Sequence, residues 1–180
     1  AIYWQTDAIM LSGETAYGLY PVESVEAMTR VAREVERDKE KFLDLPAGSL
    51  TGEVSAYLAK VAVKTASRVG AKFIISDTVR GRTIRNMAAY RGINHIIAQC
   101  YSPRTMRELS LSYGVYPTLQ EQHKSSEMFL KAALQNLLDS HEVKDEDILV
   151  VLAGNFNRGA GSSYIEVGSV EYLKERVSID

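Results

Sequence analysis

The sequence lacks the features that identify membrane proteins, disulfide-stabilised proteins and most nucleic-acid-binding proteins. Its single cysteine, Cys100, has no partner for an internal disulfide, which fits a reducing, cytoplasmic compartment. No apolar run approaches the roughly 18 residues that a membrane-spanning helix requires, and the first residues do not have the pattern of a signal peptide. The formal net charge is -2 over 180 residues. We therefore expect neither a membrane nor a nucleic acid as partner.

The common catalytic and cofactor motifs are also missing. The sequence has no P-loop, no GxGxxG motif, and no Ser/His/Asp or Cys/His pairing at a recognisable spacing. Three histidines, His95, His123 and His141, are scattered along the chain, so we expect no metal site. Cys100 ends a predicted strand and is expected to pack as a small apolar residue.

From residue 51 onward, helical and strand patterns alternate. A helical stripe of Val54, Leu58, Val61, Ala62 and Thr65 is predicted to face the core, and Gly70 follows it as a C-terminal cap. Further helices are predicted after residue 76, from Ser102 to Gly114, and from Ser125 or Ser126. Strands are predicted at residues 72–76, 95–100, 115–119, 147–154 and 164–168.

This alternation predicts an α/β fold of three layers, α/β/α, with a five-stranded, mostly parallel sheet. The loop before strand 164–168 is too short for a crossover, so this strand should pair antiparallel at an edge of the sheet. Residues 171–180 are predicted either as a last short helix or as an unstructured end.

The N-terminal part has its own pattern. Residues 8–11, AIML, predict a buried strand, and residues 12–21 predict a loop. A helix is predicted from Pro21 to about Asp38, with apolar residues at helical spacing. The predicted organisation is thus residues 1–40, a linker at 41–50, and a domain at 51–180.

Four arginines are concentrated between Ser76 and Gly92, after a predicted strand: Arg80, Arg82, Arg85 and Arg91. In open α/β sheets, ligands bind outside the carboxyl ends of strands, and helix N-termini attract anions. Gly81 permits close backbone approach, Thr78 and Thr83 supply hydroxyl groups, and Arg80 and Arg82 each offer a two-pronged grip on a phosphate.

Residues 157–163, NRGAGSS, form a second glycine-rich loop after another strand, with Arg158, Ser162 and Ser163. Together the two loops suggest a phosphorylated small molecule as ligand. Two other interpretations stay open, because the arginines also fit a solvated helix face or a subunit contact, and a glycine-rich segment between paired strands also fits an ordinary turn. Ser12, directly after the first predicted strand, fits an active-site residue or a structured turn.

Residues 7–28, DAIMLSGETAYGLYPVESVEAM, closely resemble the segment of pyruvate kinases that contains the last strand and helix of the (β/α)8 barrel. Three later segments also match the family in the same order: the arginine loop, SPRTMRELSLSYGVYP and GNFNRGAGSSY. The resemblance covers nearly the whole chain. The resemblance implies a C-terminal piece of such an enzyme: the last β/α unit of a truncated barrel at 1–40, then the allosteric and oligomerisation domain at 51–180.

In that family, the loop after the first strand of this domain holds a phosphate of an allosteric effector. The resemblance assigns Thr78, Arg80, Gly81, Arg82 and Thr83 to that loop, and Arg158, Gly159, Gly161 and Ser162 to the loop that closes over the effector. Val79-Arg80 replaces the Lys-Ser usual in members that bind fructose bisphosphate, and the tryptophan beside the effector has no counterpart. A sugar monophosphate, a nucleotide and inorganic phosphate or sulfate therefore all stay open as ligands.

The parent reaction implied by the resemblance converts phosphoenolpyruvate and ADP to pyruvate and ATP, in glycolysis, with Mg²⁺ (or Mn²⁺) and K⁺. The family's catalytic lysine and its metal and potassium ligands lie earlier in the chain, so we expect no kinase activity from these residues alone. Ser12 matches a position near the nucleotide phosphates, although Tyr17 replaces a lysine often found five residues later.

Family members are homotetramers, and the 164–168 edge strand and the Ser102–Gly114 helix are expected contributors to an interface; dimerisation of the isolated domain is one expectation. The alternatives are a structural assembly domain that binds no effector and a stand-alone module for a sugar phosphate or nucleotide.

Overall fold

The computed structural model describes residues 1–37, 54–122, 125–154 and 162–179, and of Ser162 it describes only the backbone. The predicted linker at 41–50 lies outside these ranges. Along the chain the described elements are α1 (Gly13–Ala16), α2 (Pro21–Arg37), α3 (Val54–Val69), β1 (Phe73–Thr78), α4 (Arg82–Ala89), β2 (His95–Cys100), α5 (Pro103–Leu109), β3 (Val115–Leu119), α6 (Ser126–Asp139), β4 (Ile148–Gly154), β5 (Ser162–Ser169) and α7 (Val170–Arg176). They fall into two compact units, Ala1–Lys41 and Phe42–Asp180.

Over its described residues, 1–37, the first unit contains the helices α1 and α2, and residues 1–12 form turns and irregular structure. The strand predicted at residues 8–11 is wrong, because a strand needs a neighbouring strand for its backbone hydrogen bonds and the described part of this unit contains none. The predicted loop at 12–21 contains a short helical turn, α1, in which the Ala16 N–H donates to the Ser12 carbonyl at 3.0 Å. Helix α2 begins at Pro21, as predicted, and runs to Arg37.

The second unit is built on a five-stranded sheet in the order β3-β2-β1-β4-β5. Strand β1 pairs parallel with both β2 and β4, and β2 pairs parallel with β3. Strand β5 pairs antiparallel with β4 and lies at an edge. The predicted fold class, with its antiparallel edge strand, is confirmed. Residues 171–180 are predicted to be either a short helix or unstructured, and in the structure helix α7 covers Val170–Arg176.

Alternating strand residues divide the core into two clusters, one on each face of the sheet. On one face Ile74, Ile96 and Val150 pack with α3, α4 and α5. On the other face Ile75 and Val151 pack with α6 and α7. The period of two along each strand therefore produces the three-layer arrangement.

Helix α3 presents a different face to the core from the predicted one. Of the predicted stripe, only Ala62 is fully buried, while Val54 and Val61 are 69% and 49% exposed. The buried face consists of Val63 and four alanines, Ala56, Ala59, Ala62 and Ala66. Small side chains let a helix lie close to its neighbours, so the buried face of α3 is its alanine face and not its most hydrophobic one.

The predicted caps are confirmed at three helix ends. Gly70 follows α3 in the left-handed region, at φ +66°. The Ser102 and Ser125 hydroxyl oxygens accept hydrogen bonds from the backbone N–H of Thr105 and Met128. Helix α5, however, ends at Leu109 instead of the predicted Gly114. Within the described ranges, no helix is long and apolar enough to span a membrane.

Candidate functional site

The loop between β1 and α4 carries the first group of predicted site residues. Thr78 ends β1 and is buried, and its Oγ1 accepts a hydrogen bond from the Gly81 N–H at 2.8 Å. Gly81 is the N-cap of α4 and has φ +78°, in the left-handed region. As a glycine it supplies no side-chain oxygen to the amides of the first helical turn. The N-terminus of α4 thus lies shortly after the carboxyl end of β1 and has no side-chain cap, an arrangement that favours anion binding.

Side chains from two helices hold the loop carbonyls. The Thr105 hydroxyl, on α5, donates to the Val79 carbonyl at 3.0 Å, and Arg85 Nη1 donates to the Arg80 carbonyl at 2.9 Å. The Tyr101 N–H donates to the Thr78 carbonyl at 3.4 Å. Contacts from α4, from α5 and from the residue after β2 thus determine the conformation of this loop.

The four arginines of this stretch have different roles. Arg85 Nη2 lies 3.0 Å from Glu108 Oε2, and Arg104 Nε lies 2.8 Å from the other oxygen of the same carboxylate. The hydrogen bond from Arg104, with a smaller effect of Arg85, holds the pKa of Glu108 below its ordinary value. Arg91 donates to the Ala88 carbonyl at 2.7 Å, and its guanidinium carbon lies 5.3 Å from the centre of the Tyr113 ring. These two arginines therefore stabilise the fold.

Arg80 and Arg82 are the exposed arginines on either side of Gly81. Thr83, in contrast, is buried in the first turn of α4. The predicted group Thr78, Arg80, Gly81, Arg82 and Thr83 is thus brought together at one strand end, with two cations at the surface and the hydroxyl of Thr78 beneath them. Their role as phosphate ligands stays a prediction.

The second predicted loop follows β4, the strand beside β1. Because β1 and β4 are parallel neighbours, the carboxyl ends of both strands lie on the same side of the domain, next to each other. After β1 the chain adds β2 and then β3 on one side of β1. It then returns to add β4 and β5 on the other side of β1. This reversal is the topological switch point, where open α/β sheets bind ligands. Arg158, Gly159 and Gly161 lie outside the described residues, and the backbone of Ser162 begins β5 opposite Gly154.

A carboxylate that the sequence reasoning missed lies at the same strand end. Asp77 Oδ2 accepts a hydrogen bond from the Tyr101 hydroxyl at 3.1 Å. Burial raises the pKa of Asp77, and the hydrogen bond from Tyr101 partly offsets this. Burial, and then the charge of Asp77, raise the pKa of Tyr101 as well. The signal available in the sequence is an acidic residue near the end of a mostly apolar strand.

Two further sequence candidates are Ser12, in the first unit, and Cys100, in the second. Ser12 is exposed beside α1, where its N–H donates to Glu14 Oε2 at 3.0 Å and its carbonyl accepts from helical amides. Cys100 is buried at the end of β2, as predicted. Among the described residues, no cluster of three or more His, Cys, Asp or Glu side chains could hold a metal ion.

Comparisons with known proteins identify the fold. The family described as "Pyruvate kinase, alpha/beta domain" matches residues 57–166. The pyruvate kinase of Borreliella burgdorferi is 39% identical over 95% of this chain and 37% of its own length. The Staphylococcus aureus enzyme is 38% identical over 86% of this chain and 27% of its own. The chain thus spans about a third of the length of these curated relatives.

The solved structures agree. That of Cryptosporidium parvum pyruvate kinase in complex with ADP superposes with a TM-score of 0.77 at 27% identity, over 94% of this chain and 35% of that chain. A second Cryptosporidium parvum pyruvate kinase structure superposes with a TM-score of 0.75. The family match over residues 57–166 and the identity to these relatives show that the chain belongs to the pyruvate kinase family, of which it covers the C-terminal alpha/beta domain.

Proposed function

We propose that this chain is the regulatory and assembly part of a pyruvate kinase, and that residues 78–83 bind a phosphate group of an allosteric effector. The observation that carries the proposal is the loop before α4. It ends in a glycine N-cap at the switch point of the sheet, and it places Arg80 and Arg82 at the surface around that cap. The loop after β4, with Arg158, Gly159, Gly161 and Ser162, is proposed to close over the same ligand.

The mechanism proposed is a change in conformational equilibrium. A bound phosphate favours whichever conformation of the parent enzyme binds it more tightly, and only that difference in affinity transmits a signal. The hydrogen bonds from Thr105 and Arg85 to the loop carbonyls link the loop to α5 and α4. A ligand that moves the loop therefore also acts on both helices.

We propose further that this chain does not catalyse the parent reaction, phosphoryl transfer from phosphoenolpyruvate to ADP. The pyruvate kinase family uses Mg²⁺ and K⁺, but the described residues provide no acidic or histidine cluster that fits a divalent ion. Ser12 is exposed and its amide and carbonyl are engaged in a local turn, which supports a structural role in this chain. Formation of pyruvate by the purified chain, with both cations present, would contradict this proposal.

Calorimetric titration with inorganic phosphate and with sugar phosphates tests effector binding. We expect Arg82→Ala to weaken the binding of phosphate about 10- to 100-fold, since hydrogen bonds to charged groups contribute about 1.5–3 kcal/mol. The matched control is Arg68→Ala, because Arg68 is exposed in the last turn of α3, near the amino end of β1 and so at the opposite edge of the sheet. Equal affinities of the two variants would refute the assignment of the arginine loop.

A purely structural role in assembly is the second candidate. The edge strand β5 has one unpaired side, and the outer face of α3, which packs on β5, exposes Val54, Tyr57 and Val61. Open strand edges and exposed apolar stripes favour association. If assembly is the only role, Val61→Lys should lower the mass measured by light scattering, whereas no phosphate should bind the wild-type protein.

A further inference from the structure

Asp77 is the polar group nearest in sequence to the proposed phosphate loop, and it lies on the opposite face of β1 from Thr78. It is partly exposed at the carboxyl end of the strand. Among the described residues, the side-chain hydrogen bond to its carboxylate comes from the Tyr101 hydroxyl, which reaches Oδ2. The backbone N–H of Asp77 itself also donates to this carboxylate. An ionised carboxylate has about four acceptor positions, so positions remain for a further donor.

Gln99 lies beside Asp77 in the register of β1 and β2, so both side chains belong to the same face of the sheet. Gln99 is 1% exposed, and within the described ranges its Oε1 has no hydrogen-bond partner. Buried polar oxygens normally accept a hydrogen bond, because leaving them unpaired is costly. The strand ends of β1 and β2 thus carry a partly exposed carboxylate and, beside it, a buried amide oxygen that has no partner among the described residues.

We propose that Asp77 and Tyr101 form a hydroxyl-binding subsite beside the phosphate loop, which selects a singly phosphorylated, polyhydroxylated ligand over one with two phosphates. The inference rests on the proposed function of residues 78–83. A sugar hydroxyl donates to a remaining acceptor position of the Asp77 carboxylate, while the hydrogen bond from Tyr101 holds that carboxylate in place. The negative charge of Asp77 repels a second phosphate brought to the same strand end.

The size of this selection follows from electrostatics. At an effective dielectric constant of about 40, between the values for a protein surface and for bulk water, two like unit charges about 6 Å apart change affinity by roughly tenfold. Neutralising Asp77 should therefore improve the binding of a bisphosphate about tenfold and remove the advantage of a sugar monophosphate over inorganic phosphate. Removing only the Tyr101 hydroxyl retains the charge and should retain the discrimination against the second phosphate.

Calorimetry on the whole chain with three probes tests this: inorganic phosphate, glucose 6-phosphate and fructose 1,6-bisphosphate. The variants are Asp77→Asn, Asp77→Ser, Tyr101→Phe and Arg82→Ala, each checked for folding by circular dichroism. Two neutral variants are used so that a folding defect in one does not decide the result. We expect both of them to bind the bisphosphate about tenfold more tightly relative to glucose 6-phosphate, and Tyr101→Phe to keep the wild-type ratio.

The outcomes separate the two proposals. If Arg82→Ala loses all three ligands while the neutral variants of Asp77 keep the wild-type ratios, the subsite is wrong and the phosphate loop stands. If the wild-type protein binds fructose 1,6-bisphosphate more tightly than glucose 6-phosphate, the selectivity is also overturned. Absence of binding by all three probes in the wild-type protein overturns the phosphate site itself, and the subsite with it.

Discussion

Replacing Gly81 by alanine should destabilise the domain through one particular side chain, Arg85. A Cβ at position 81 would lie 2.8 Å from Arg85 Nη1 and 3.2 Å from Leu109 Cδ2. The distance to Arg85 Nη1 is shorter than a van der Waals contact allows, so the flexible guanidinium group of Arg85 must move. Its movement breaks the hydrogen bond from Nη1 to the Arg80 carbonyl, now 2.9 Å long.

Two contributions add in this variant. Alanine at φ +78° costs about 1 kcal/mol relative to glycine, since the left-handed region is unfavourable for residues with a Cβ. Loss of the hydrogen bond from Arg85 to a carbonyl adds about 1–2 kcal/mol. The ion pair of Arg85 with Glu108 is exposed and contributes little. We therefore expect Gly81→Ala to lower the free energy of unfolding by about 2–3 kcal/mol.

Urea unfolding followed by far-ultraviolet circular dichroism measures this effect. Tryptophan fluorescence is unsuitable, because the single tryptophan, Trp4, lies in the first unit. The matched control is Gly70→Ala, since Gly70 has φ +66° but nothing within 4 Å of its added Cβ, so only the backbone cost of about 1 kcal/mol remains.

A double-mutant cycle isolates the contribution of Arg85. In an Arg85→Ala background, Gly81→Ala should cost about as much as Gly70→Ala does, within about 0.5 kcal/mol. If the two glycine variants are equally destabilising with Arg85 present, or if the cost of Gly81→Ala is independent of Arg85, the reasoning is refuted.

Three further predictions concern burial and charge elsewhere in the domain. Burial raises the pKa of the Cys100 thiol to about 11, from 9.0, so alkylation by iodoacetamide at pH 8 should be roughly 100-fold slower in the native protein than in urea; equal rates would contradict this. A hydrogen bond from Lys72 Nζ, 2.7 Å long, holds the pKa of Asp147 below its ordinary 3.8. The stability from this group is therefore present above that value and is lost as the pH falls through the lowered pKa, so Asp147→Asn should flatten the acid limb of the stability curve below about pH 4 and leave its slope above pH 5 unchanged. Ala62→Leu, in the tightly packed face of α3, should lower the free energy of unfolding by about 1–3 kcal/mol, whereas Arg68→Leu, which is exposed on the same helix, should change it by less than about 0.5; equal effects in thermal unfolding would contradict the packing.

The strands, their order along the chain and the helix caps could be predicted because they depend on local chemistry. Ser102 before Pro103 specifies a helix start without reference to the rest of the fold, and Gly70 specifies an end. The short loop before β5 was enough to predict its antiparallel pairing. Such features act over a few residues and are therefore readable in one sequence.

Features that depend on distant partners could not be predicted. The face of α3 that is buried depends on how closely its neighbours approach, and hydrophobicity alone pointed to Val54 and Val61 instead of the alanines. The strand predicted at residues 8–11 failed for the same reason, since strand formation needs a partner strand. In the candidate site, the sequence singled out the cations but not the contact of Arg85 with Glu108, 23 residues away.

The position of β1 between β2 and β4 has a consequence for how the domain forms during synthesis. Strand β2 follows β1 closely, but the other side of β1 stays open until β4 arrives, and the Lys72–Asp147 contact beside them spans 75 residues. At about 5–20 residues per second, a ribosome needs several seconds to complete that interval. The nascent β1, β2 and β3 therefore display an unpaired apolar edge for that time. A chain truncated before Ile148 would keep this edge permanently open and should aggregate, so residues 148–180, the last fifth of the sequence, protect strands that are made long before them.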